Sequence, residues 1–371
     1  MASARLRRIG LALAAPLLAV LVAFVVTSAI LLAVGDPVGD VWKQILTPPK
    51  PRQFVNIINA SSVYYLSAVA VAVGFRMNLF NIGVDGQYRV GAFAAAVFAG
   101  QAWLPGVLNV VVAIVVAMLA GGIWASIAAW LKVRRGVSEV ISTIMLNTIA
   151  TGLVSWLLAK VKVEVKGSNA TSTKEIPDSS QLEGLQLIPG ATNKVYTLIV
   201  LALLVGLLYW FVLNRTRFGF DLRATGESET AALASGVKVP RMVMTSMIMS
   251  GALAGLVGMP LLFGQDHSYG TTFQSGLGFA GIGIALLGRN HPIGIAVAAL
   301  LWAYLDTQSN GLQINAGVAS ELVFIIQGVI LFAVVIAYEV VRRIEKRTEA
   351  TRVAAELAAA HPTVKQQGAT A

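Results

Sequence analysis

Long apolar segments alternate with short polar ones over most of the 371 residues of this chain. An apolar helix of about 17 to 25 residues is long enough to cross a lipid bilayer. The pattern predicts about ten transmembrane helices, and therefore an all-α polytopic membrane protein. The segments are 9–34, 57–75, 83–101, 107–131, 138–159, 195–213, 242–263, 277–288, 292–308 and 318–340. One of them, 277–288, is short and rich in glycine, and we expect it to be bent or incomplete.

The composition supports a membrane protein and excludes a soluble enzyme. Hydrophobic residues make up 56% of the chain and charged residues 12%, whereas about a quarter of the residues in a soluble domain are charged. Cysteine is absent and only three histidines are present, so we expect no metal site and no catalytic residues. The chain has no GxxxxGK[ST] phosphate loop, and ATP hydrolysis would require a separate subunit.

Basic residues predict the orientation, because loops rich in lysine and arginine stay in the cytoplasm. Basic clusters precede the first apolar segment and follow the fourth, the sixth and the last, which places both termini in the cytoplasm. The lysines between residues 160 and 194 disagree with this rule, since the same topology puts them outside. The net charge of +10 is spread over several loops, so we expect no binding to nucleic acid.

The same pattern divides the chain into a membrane domain and a tail. Residues 1–341 form the predicted transmembrane domain, and its first apolar segment is too long for a cleaved signal peptide. We expect residues 160–193 to be an extracellular insertion and residues 214–241 to be a cytoplasmic loop. The last part, 342–371, is predicted to be a cytoplasmic tail that is helical at first and partly disordered.

Polar side chains and glycines lie together in residues 75–91, between two apolar segments. A charged group at membrane depth costs about 2.5 to 3.5 kcal/mol, and irregular backbone there requires surrounding protein or a cavity. We therefore predict that this stretch breaks a helix and lines a translocation path. The candidate lining residues are Asn78, Asn81, Asp85 and Gln87. Asp85 also lies four residues before Arg89, and a structural ion pair is the alternative to substrate contact.

Three further polar residues recur at intervals of four in the segment 138–159. Glu139, Thr143 and Asn147 therefore lie near one face of a helix. Thr143 and Asn147 are predicted to line the same path. The alternative is local: Glu139 caps the start of its helix, and the other two bond a neighbouring helix.

The loop 214–241 contains Glu229, Ala231 and Ala232, followed by Gly236, which predicts a short helix that ends at a glycine. This run resembles the EAA-type coupling loop of ABC importer permeases. The chain is similar to the branched-chain amino acid, ribose and nucleoside permease family, and most similar to its nucleoside subgroup. The resemblance lies in FNIGVDGQ at 80–87, EVISTIMLN at 139–147, LRATGESETAALASGVKVPRMVMTSMIMSGALAGLVG at 222–258 and GFAGIGIALLGRNHPIG at 278–294. The family more often has NPEAA where this chain has SETAA at 228–232.

The resemblance implies an ABC importer permease fold and the import of nucleosides across a bacterial inner membrane. It also implies a cytoplasmic ABC ATPase that holds ATP and magnesium, so that this chain carries no cofactor. A second homologous permease subunit, in a heterodimer, and an extracellular or periplasmic substrate-binding protein would complete the transporter. Glu229, Ala231, Ala232 and Gly236 would form the contact with the ATPase.

Other functions stay open at this point. The same fold could carry a simple sugar or another small polar solute, and an ion-coupled secondary transporter could use Asp85 as its titratable site. On the predicted outer side, a set of polar residues either receives the binding protein or lies in solvated loops. This set is Gln265, Asp266, His267, Asp306, Gln308 and Asn310, together with the insertion 160–193.

Overall fold

A computed structural model describes residues 2–164 and 171–360. Within that range, a helix lies in each of the ten predicted apolar segments. These helices are α1 (Ala2–Val34), α3 (Pro51–Phe75), α4 (Val84–Gly100), α5 (Gly106–Arg135), α6 (Glu139–Val161), α7 (Ile199–Arg215), α10 (Val239–Gly255), α12 (Leu277–Leu287), α13 (Pro292–Gly311) and α14 (Leu322–Ala360). The predicted disorder after residue 360 lies outside the described residues. Of the predicted outer residues, Asn310 has a side chain outside the described set.

Shorter helices lie between the long ones. They are α2 (Val38–Leu46), α8 (Arg217–Glu227), α9 (Glu229–Ala234) and α11 (Met259–Leu261). The pattern of apolar residues did not predict α2 or α8, whereas α9 confirms the predicted short helix. A π-helical turn, Leu262–Asp266, extends α11.

Six helical segments of the described residues are long and apolar enough to cross a membrane. A seventh arises if α7 and α8, bent by 73°, count as one broken span. The short helix α12 confirms that the glycine-rich segment is incomplete as a span. The chain is therefore a multi-pass, mostly helical membrane protein.

The chain forms two compact units. The first contains the residues up to Lys43 and those from Leu312 onward. In it, α1 packs against α14, and the Nε1–H of Trp42 donates to the hydroxyl of Ser28 at 3.0 Å. The ring of Trp42 also contacts that of Phe24, with 4.7 Å between the centroids.

The second unit runs from Gln44 to Gly311 and has α3 and α10 at its centre. In α3, 78% of the span is buried, compared with 33% in α5. Small residues allow the helices to approach closely, because a Cβ at Gly251 of α10 would overlap the backbone of Gly121 in α5. Such contacts are typical of helix packing in membranes.

The predicted insertion 160–193 is packed against the segment between α10 and α12. Its described part contains the short strands β1 (Val163–Glu164) and β2 (Thr171–Ser172), which pair antiparallel. The backbone N–H of Thr173 donates to the carbonyl of Tyr269, and that of Ile176 donates to the carbonyl of His267, both at 2.8 Å. Residues 171–176 are therefore held in place by backbone hydrogen bonds.

Candidate functional site

A break between α3 and α4 carries two of the six predicted path residues, Asn78 and Asn81. The helix α3 ends at Phe75 and α4 begins at Val84, and Asn78 between them has a positive φ of 58°. Asparagine tolerates this left-handed conformation better than most residues. The side chain of Asn78 is exposed, whereas that of Asn81 is fully buried. The break is the irregular structure that the polar stretch 75–91 predicted.

Asn81 and Gln87 form a reciprocal pair of side-chain amides. The amide of Asn81 donates to Oε1 of Gln87 at 2.9 Å, and that of Gln87 donates back to Oδ1 of Asn81 at 3.0 Å. Asn81 also donates to the hydroxyl of Ser250 on α10 at 2.8 Å and accepts the backbone N–H of Gly83 at 3.0 Å. Buried polar groups require such partners, since an unpaired one costs about 1 to 3 kcal/mol. The pair therefore holds the break against α10.

Asn147 on α6 holds the other side of the break. Its Oδ1 accepts the backbone N–H of Gly86 at 2.8 Å, and its amide donates to the carbonyl of Ile82 at 2.9 Å. Thr143, one turn earlier, is fully buried and donates to the carbonyl of Glu139 in its own helix at 2.6 Å. The hydrogen bonds of Asn147 replace helical ones that the start of α4 lacks.

Asp85 connects α4 to the start of α12. Its Oδ2 lies 3.1 Å from Nε of Arg89, and its Oδ1 accepts the backbone N–H of Gly278, at the start of α12, at 3.3 Å. Asp85 is 5% exposed, so the charge of Arg89 offsets the cost of burying the carboxylate. The predicted ion pair with Arg89 is present.

The structure thus brings together Asn81, Asp85, Gln87, Thr143 and Asn147, and leaves Asn78 exposed at the edge. In this conformation the five buried side chains bond within the chain. Glu139 lies at the start of α6, and its carboxylate accepts a hydrogen bond from Nζ of Lys132 on α5 at 2.6 Å. The buried residues form separate hydrogen-bonded groups that lie side by side on α4, α6, α10 and α12, and we call these groups together the closed network.

A cavity of about 360 Å³ lies next to this network, and we call it the α6 cavity. Arg89 links the two, because it pairs with Asp85 and also lines the cavity. Thr151 and Ser155 continue the four-residue spacing of Thr143 and Asn147 along α6 into the cavity. This spacing could have revealed them in the sequence. The other polar and aromatic lining residues are Lys162, Thr171, Tyr269, Thr271 and Phe273.

Aromatic rings form one wall of the α6 cavity. The ring of Tyr269 stacks on that of Phe273, with 4.7 Å between the centroids and 30° between the planes. Phe93 of α4 contacts Tyr269 edge to face at 5.7 Å. Burial raises the pKa of Tyr269 to about 12, so its hydroxyl keeps its proton at neutral pH. No pattern in the sequence marked these rings as part of the site.

A second cavity, of about 390 Å³, lies near the start of α3, and we call it the α3 cavity. Side-chain amides, phenols and one carboxylate line it. Its polar lining includes Asn56, Tyr64, Tyr196, Gln265, Gln274 and Asp306. Two of them, Gln265 and Asp306, belong to the predicted outer set.

The other outer residues are placed differently. Gln308 is 2% exposed, accepts from the side chain of Gln44 and donates to the carbonyl of Thr47, both at 3.0 Å. It is therefore a structural residue and not part of a solvated loop. Asp266 accepts from the amide of Gln265 at 3.1 Å, and His267 follows with a positive φ of 51°.

The predicted coupling helix is α9, between α8 and α10. Ser228 caps its first turn by accepting the backbone N–H of Ala231 at 3.3 Å, and Gly236 follows its end with a φ of 84°. Ala232 is 2% exposed and fixes the helix to the protein. Glu229 and Ala231 are exposed. The helix therefore has one buried anchor and a free outer face.

The helix α8 contacts the break between α3 and α4. A Cβ at Gly226 would overlap the backbone carbonyl of Arg76. The guanidinium of Arg76 donates to the carbonyl of Asn290 at 2.8 Å, and Tyr209 of α7 donates to the same carbonyl at 2.9 Å. The loop with α8 and α9 is thereby linked to both the break and the turn after α12.

The chain is similar to several known proteins. Residues 53–335 match the family described as branched-chain amino acid transport system / permease component. The guanosine ABC transporter permease protein NupP of Bacillus subtilis is 37% identical over 75% of this chain and 79% of its own length. The nucleoside ABC transporter permease protein NupB of Lactococcus lactis is 28% identical over 87% of this chain and 90% of its own length.

Two further proteins are similar. The glucose ABC transporter permease protein TsgB13 of Haloferax volcanii is 30% identical over 87% of each chain. A solved structure of a metal-chelate type ABC transporter in an inward-facing conformation covers 87% of this chain and 98% of its own, with 17% identity and a TM-score of 0.45.

Membership in the matched family has three consequences. Its members are transport subunits and not enzymes, and they work with a cytoplasmic ATPase and a substrate-binding protein. An ion-coupled secondary transporter is therefore no longer an alternative. With a family match over residues 53–335 and a relative 37% identical, the chain belongs to the branched-chain amino acid transport system permease family and is a permease of an ABC transporter.

Proposed function

We propose that this permease imports nucleosides across the inner membrane of a bacterium, driven by a separate ATPase. The similarity to a guanosine permease at 37% identity and to a nucleoside permease at 28% supports this cargo. The α6 cavity agrees with it, because stacked aromatic rings and hydroxyl groups suit the base and the ribose of an uncharged nucleoside. Its volume of about 360 Å³ lies in the range typical of small-molecule sites.

The observation that carries this proposal is the continuous polar stripe along α6. Asn147 belongs to the closed network, and Thr151 and Ser155 on the following turns line the cavity. A path for the substrate would therefore run from the α6 cavity through the network when its hydrogen bonds open. Asn78, Asn81, Asp85, Gln87, Thr143 and Asn147 are its proposed lining.

The topology and the partners complete the proposal. All ten apolar segments would cross or enter the membrane, and the basic clusters would keep both termini in the cytoplasm. A second, homologous permease subunit would form a heterodimer with this chain. ATP and magnesium would bind to the ATPase, which would contact α9 through Glu229 and Ala231, while Ala232 and Gly236 hold the shape of that helix.

Uptake by the assembled transporter tests the proposal. This permease, its companion permease, the ATPase and the binding protein are reconstituted in proteoliposomes, and uptake of labelled guanosine and uridine is measured. Glu229→Arg reverses the charge where the ATPase is proposed to dock. Asp40→Arg is the control, because Asp40 is exposed near the start of α2 and lies outside both the loop 214–241 and the predicted outer set.

We expect ATP-dependent nucleoside uptake in the wild type and the control, and its loss in Glu229→Arg. Uptake that is unchanged in Glu229→Arg would contradict the role of α9. A simple sugar is the second candidate, because the glucose permease of Haloferax volcanii is 30% identical over 87% of the chain. Nucleoside uptake that is blocked by excess glucose or ribose would favour this candidate.

A further inference from the structure

We propose that the α3 cavity is a second binding station on this chain, which recognises the N–H donors of a nucleoside base through the carboxylate of Asp306. This inference rests on the proposed nucleoside cargo. The α3 cavity and the α6 cavity share no lining residue. Tyr269, Thr271 and Phe273 line the α6 cavity, and Gln274 lines the α3 cavity, so the segment before α12 contributes to both.

The two cavities differ in their charge. Arg89 and Lys162 line the α6 cavity. Among the described residues, the lining of the α3 cavity contains one carboxylate and no lysine, arginine or histidine. A ligand in the α3 cavity therefore faces a negatively charged hydrogen-bond acceptor. Its affinity should be highest if it presents hydrogen-bond donors.

One hydrogen bond between α3 and α13 holds Asp306 in the α3 cavity. The hydroxyl of Tyr64 on α3 donates to Oδ2 of Asp306 on α13 at 3.1 Å. Within the described part of the chain, no other side chain donates to this carboxylate, and each carboxylate oxygen can accept two hydrogen bonds. Asp306 thus has its orientation fixed by Tyr64, and both of its carboxylate oxygens keep acceptor capacity for a ligand.

The other walls suit a flat, polar ring. The phenol of Tyr196 donates to the amide carbonyl of Gln265, which fixes both side chains at the edge of the cavity. Asn56 accepts from Asn193 through its Oδ1 at 2.6 Å, so its own N–H groups stay available as donors. The volume of about 390 Å³ falls within the usual range for small-molecule sites.

Guanine is the base that matches these walls best. Its ring N–H and its exocyclic amino group lie side by side, and together they can donate to one carboxylate. Hypoxanthine has the same ring N–H and lacks the amino group. A bidentate pair of this kind discriminates between bases by about tenfold or more. The station should therefore bind guanosine more tightly than inosine.

The station also has a connection to the closed network. The backbone carbonyl of Gln274 accepts the hydroxyl of Tyr88 at 2.5 Å. Tyr88 is fully buried in α4 and lies between Gln87 of the amide pair and Arg89 of the ion pair. A ligand that moves Gln274 would therefore act on the segment of α4 that carries the network.

Binding without the substrate-binding protein tests this station directly. The complex of the permeases and the ATPase is placed in lipid nanodiscs, and saturation-transfer NMR measures the affinities for guanosine and inosine. Asp306→Asn keeps the size of the side chain and removes its charge. Asp178→Asn is the control, because Asp178 is exposed in the insertion and lines neither cavity. Tyr64→Phe keeps the carboxylate and removes only its phenol partner.

We expect guanosine to bind about tenfold more tightly than inosine in the wild type and in Asp178→Asn. In Tyr64→Phe the ratio should be smaller, because the carboxylate of Asp306 loses the partner that fixes its orientation. In Asp306→Asn, the affinity for guanosine should fall while the affinity for inosine stays the same, so that the two become equal. An equal loss for both nucleosides, or an unchanged ratio, would overturn the station. Displacement of guanosine by sodium or magnesium would also overturn it, in favour of a cation site. Uptake of labelled nucleoside by the same variants in proteoliposomes that contain the binding protein separates a failure of this station from a failure of the proposed cargo.

Discussion

Asn147 on α6 bridges the first turn of α4 by accepting the backbone N–H of Gly86 at 2.8 Å. Its amide donates to the carbonyl of Ile82 at 2.9 Å, on the other side of the start of α4. Gly86 has no room for a side chain, because a Cβ there would lie 2.9 Å from Oδ1 of Asn147. One asparagine therefore supplies both a donor and an acceptor to backbone that has no helical partner.

Asn147→Leu should destabilise the permease, because it leaves the N–H of Gly86 and the carbonyl of Ile82 buried without partners. Each such group costs about 1 to 3 kcal/mol. Asn147→Asp should cost less, since it keeps the acceptor for Gly86. Unfolding in mixed detergent micelles measures both effects. Thr151→Val, one turn further along α6, is the matched control and should leave the stability unchanged. Equal stability of Asn147→Leu and the wild type would contradict this role.

Arg89→Gln should destabilise the permease more than a double variant that removes both charges of its ion pair with Asp85. It leaves the carboxylate of Asp85, which is 5% exposed, without its cation. We expect a loss of about 3 kcal/mol, the lower end for buried pairs, because the side chain of Arg89 is itself 20% exposed. The double variant Asp85→Asn with Arg89→Gln should recover part of the stability. A double-mutant cycle by unfolding in micelles measures the coupling, and additive effects would show that the pair contributes nothing.

The sequence predicted the positions of the long helices well, because an apolar segment of sufficient length has few alternatives to a helix in a membrane. It also predicted a break within residues 75–91 and the short helix α9. The helix α8 was missed, because its residues 217–227 have no long apolar run and the bend of 73° after α7 interrupts the pattern.

The candidate site could be predicted only where its residues follow one another along a helix. Asn81, Asp85 and Gln87 lie close together in the sequence, and Thr143 and Asn147 share a spacing of four. The contact between Asn81 and Ser250 joins residues 169 positions apart, and no periodicity within one segment indicates it. Tyr269 and Phe273 lie in an irregular segment that lines the α6 cavity. Such a segment has no periodicity from which the direction of a side chain could be predicted.

The close contact of α5 and α10 should be sensitive to any added side chain. A Cβ at Gly251 would overlap both the Cβ of Ala125 and the carbonyl of Gly121. Gly251→Val should therefore separate the two helices and lower the unfolding midpoint and the yield of folded permease. Gly152→Val on α6 is the matched control, because nothing lies within 4 Å of a Cβ at that position. Similar yields of the two variants would contradict this packing.

The contact of α8 with the break predicts that Gly226 transmits movement from the ATPase to the membrane helices without contacting the ATPase. Gly226 lies against the carbonyl of Arg76, whose guanidinium holds the carbonyl of Asn290. Gly226→Ala adds one methyl group at this contact and should shift α8 away from the break. We expect it to lower the amount of substrate moved for each ATP hydrolysed, while ATP hydrolysis itself continues.

The ratio of uptake to ATP hydrolysis in proteoliposomes measures this transmission. Gly236→Ala, at the exposed end of α9, is an instructive comparison, because its φ of 84° is unfavourable for alanine but its Cβ would contact nothing. It should weaken the helix that contacts the ATPase, and so lower hydrolysis and uptake together. Arg76→Gln should behave like Gly226→Ala, since it removes the bonds to Asn290 and leaves α9 intact. If all three variants lower hydrolysis and uptake in proportion, the link through Arg76 does not transmit the movement, and α9 acts on the membrane helices by another route.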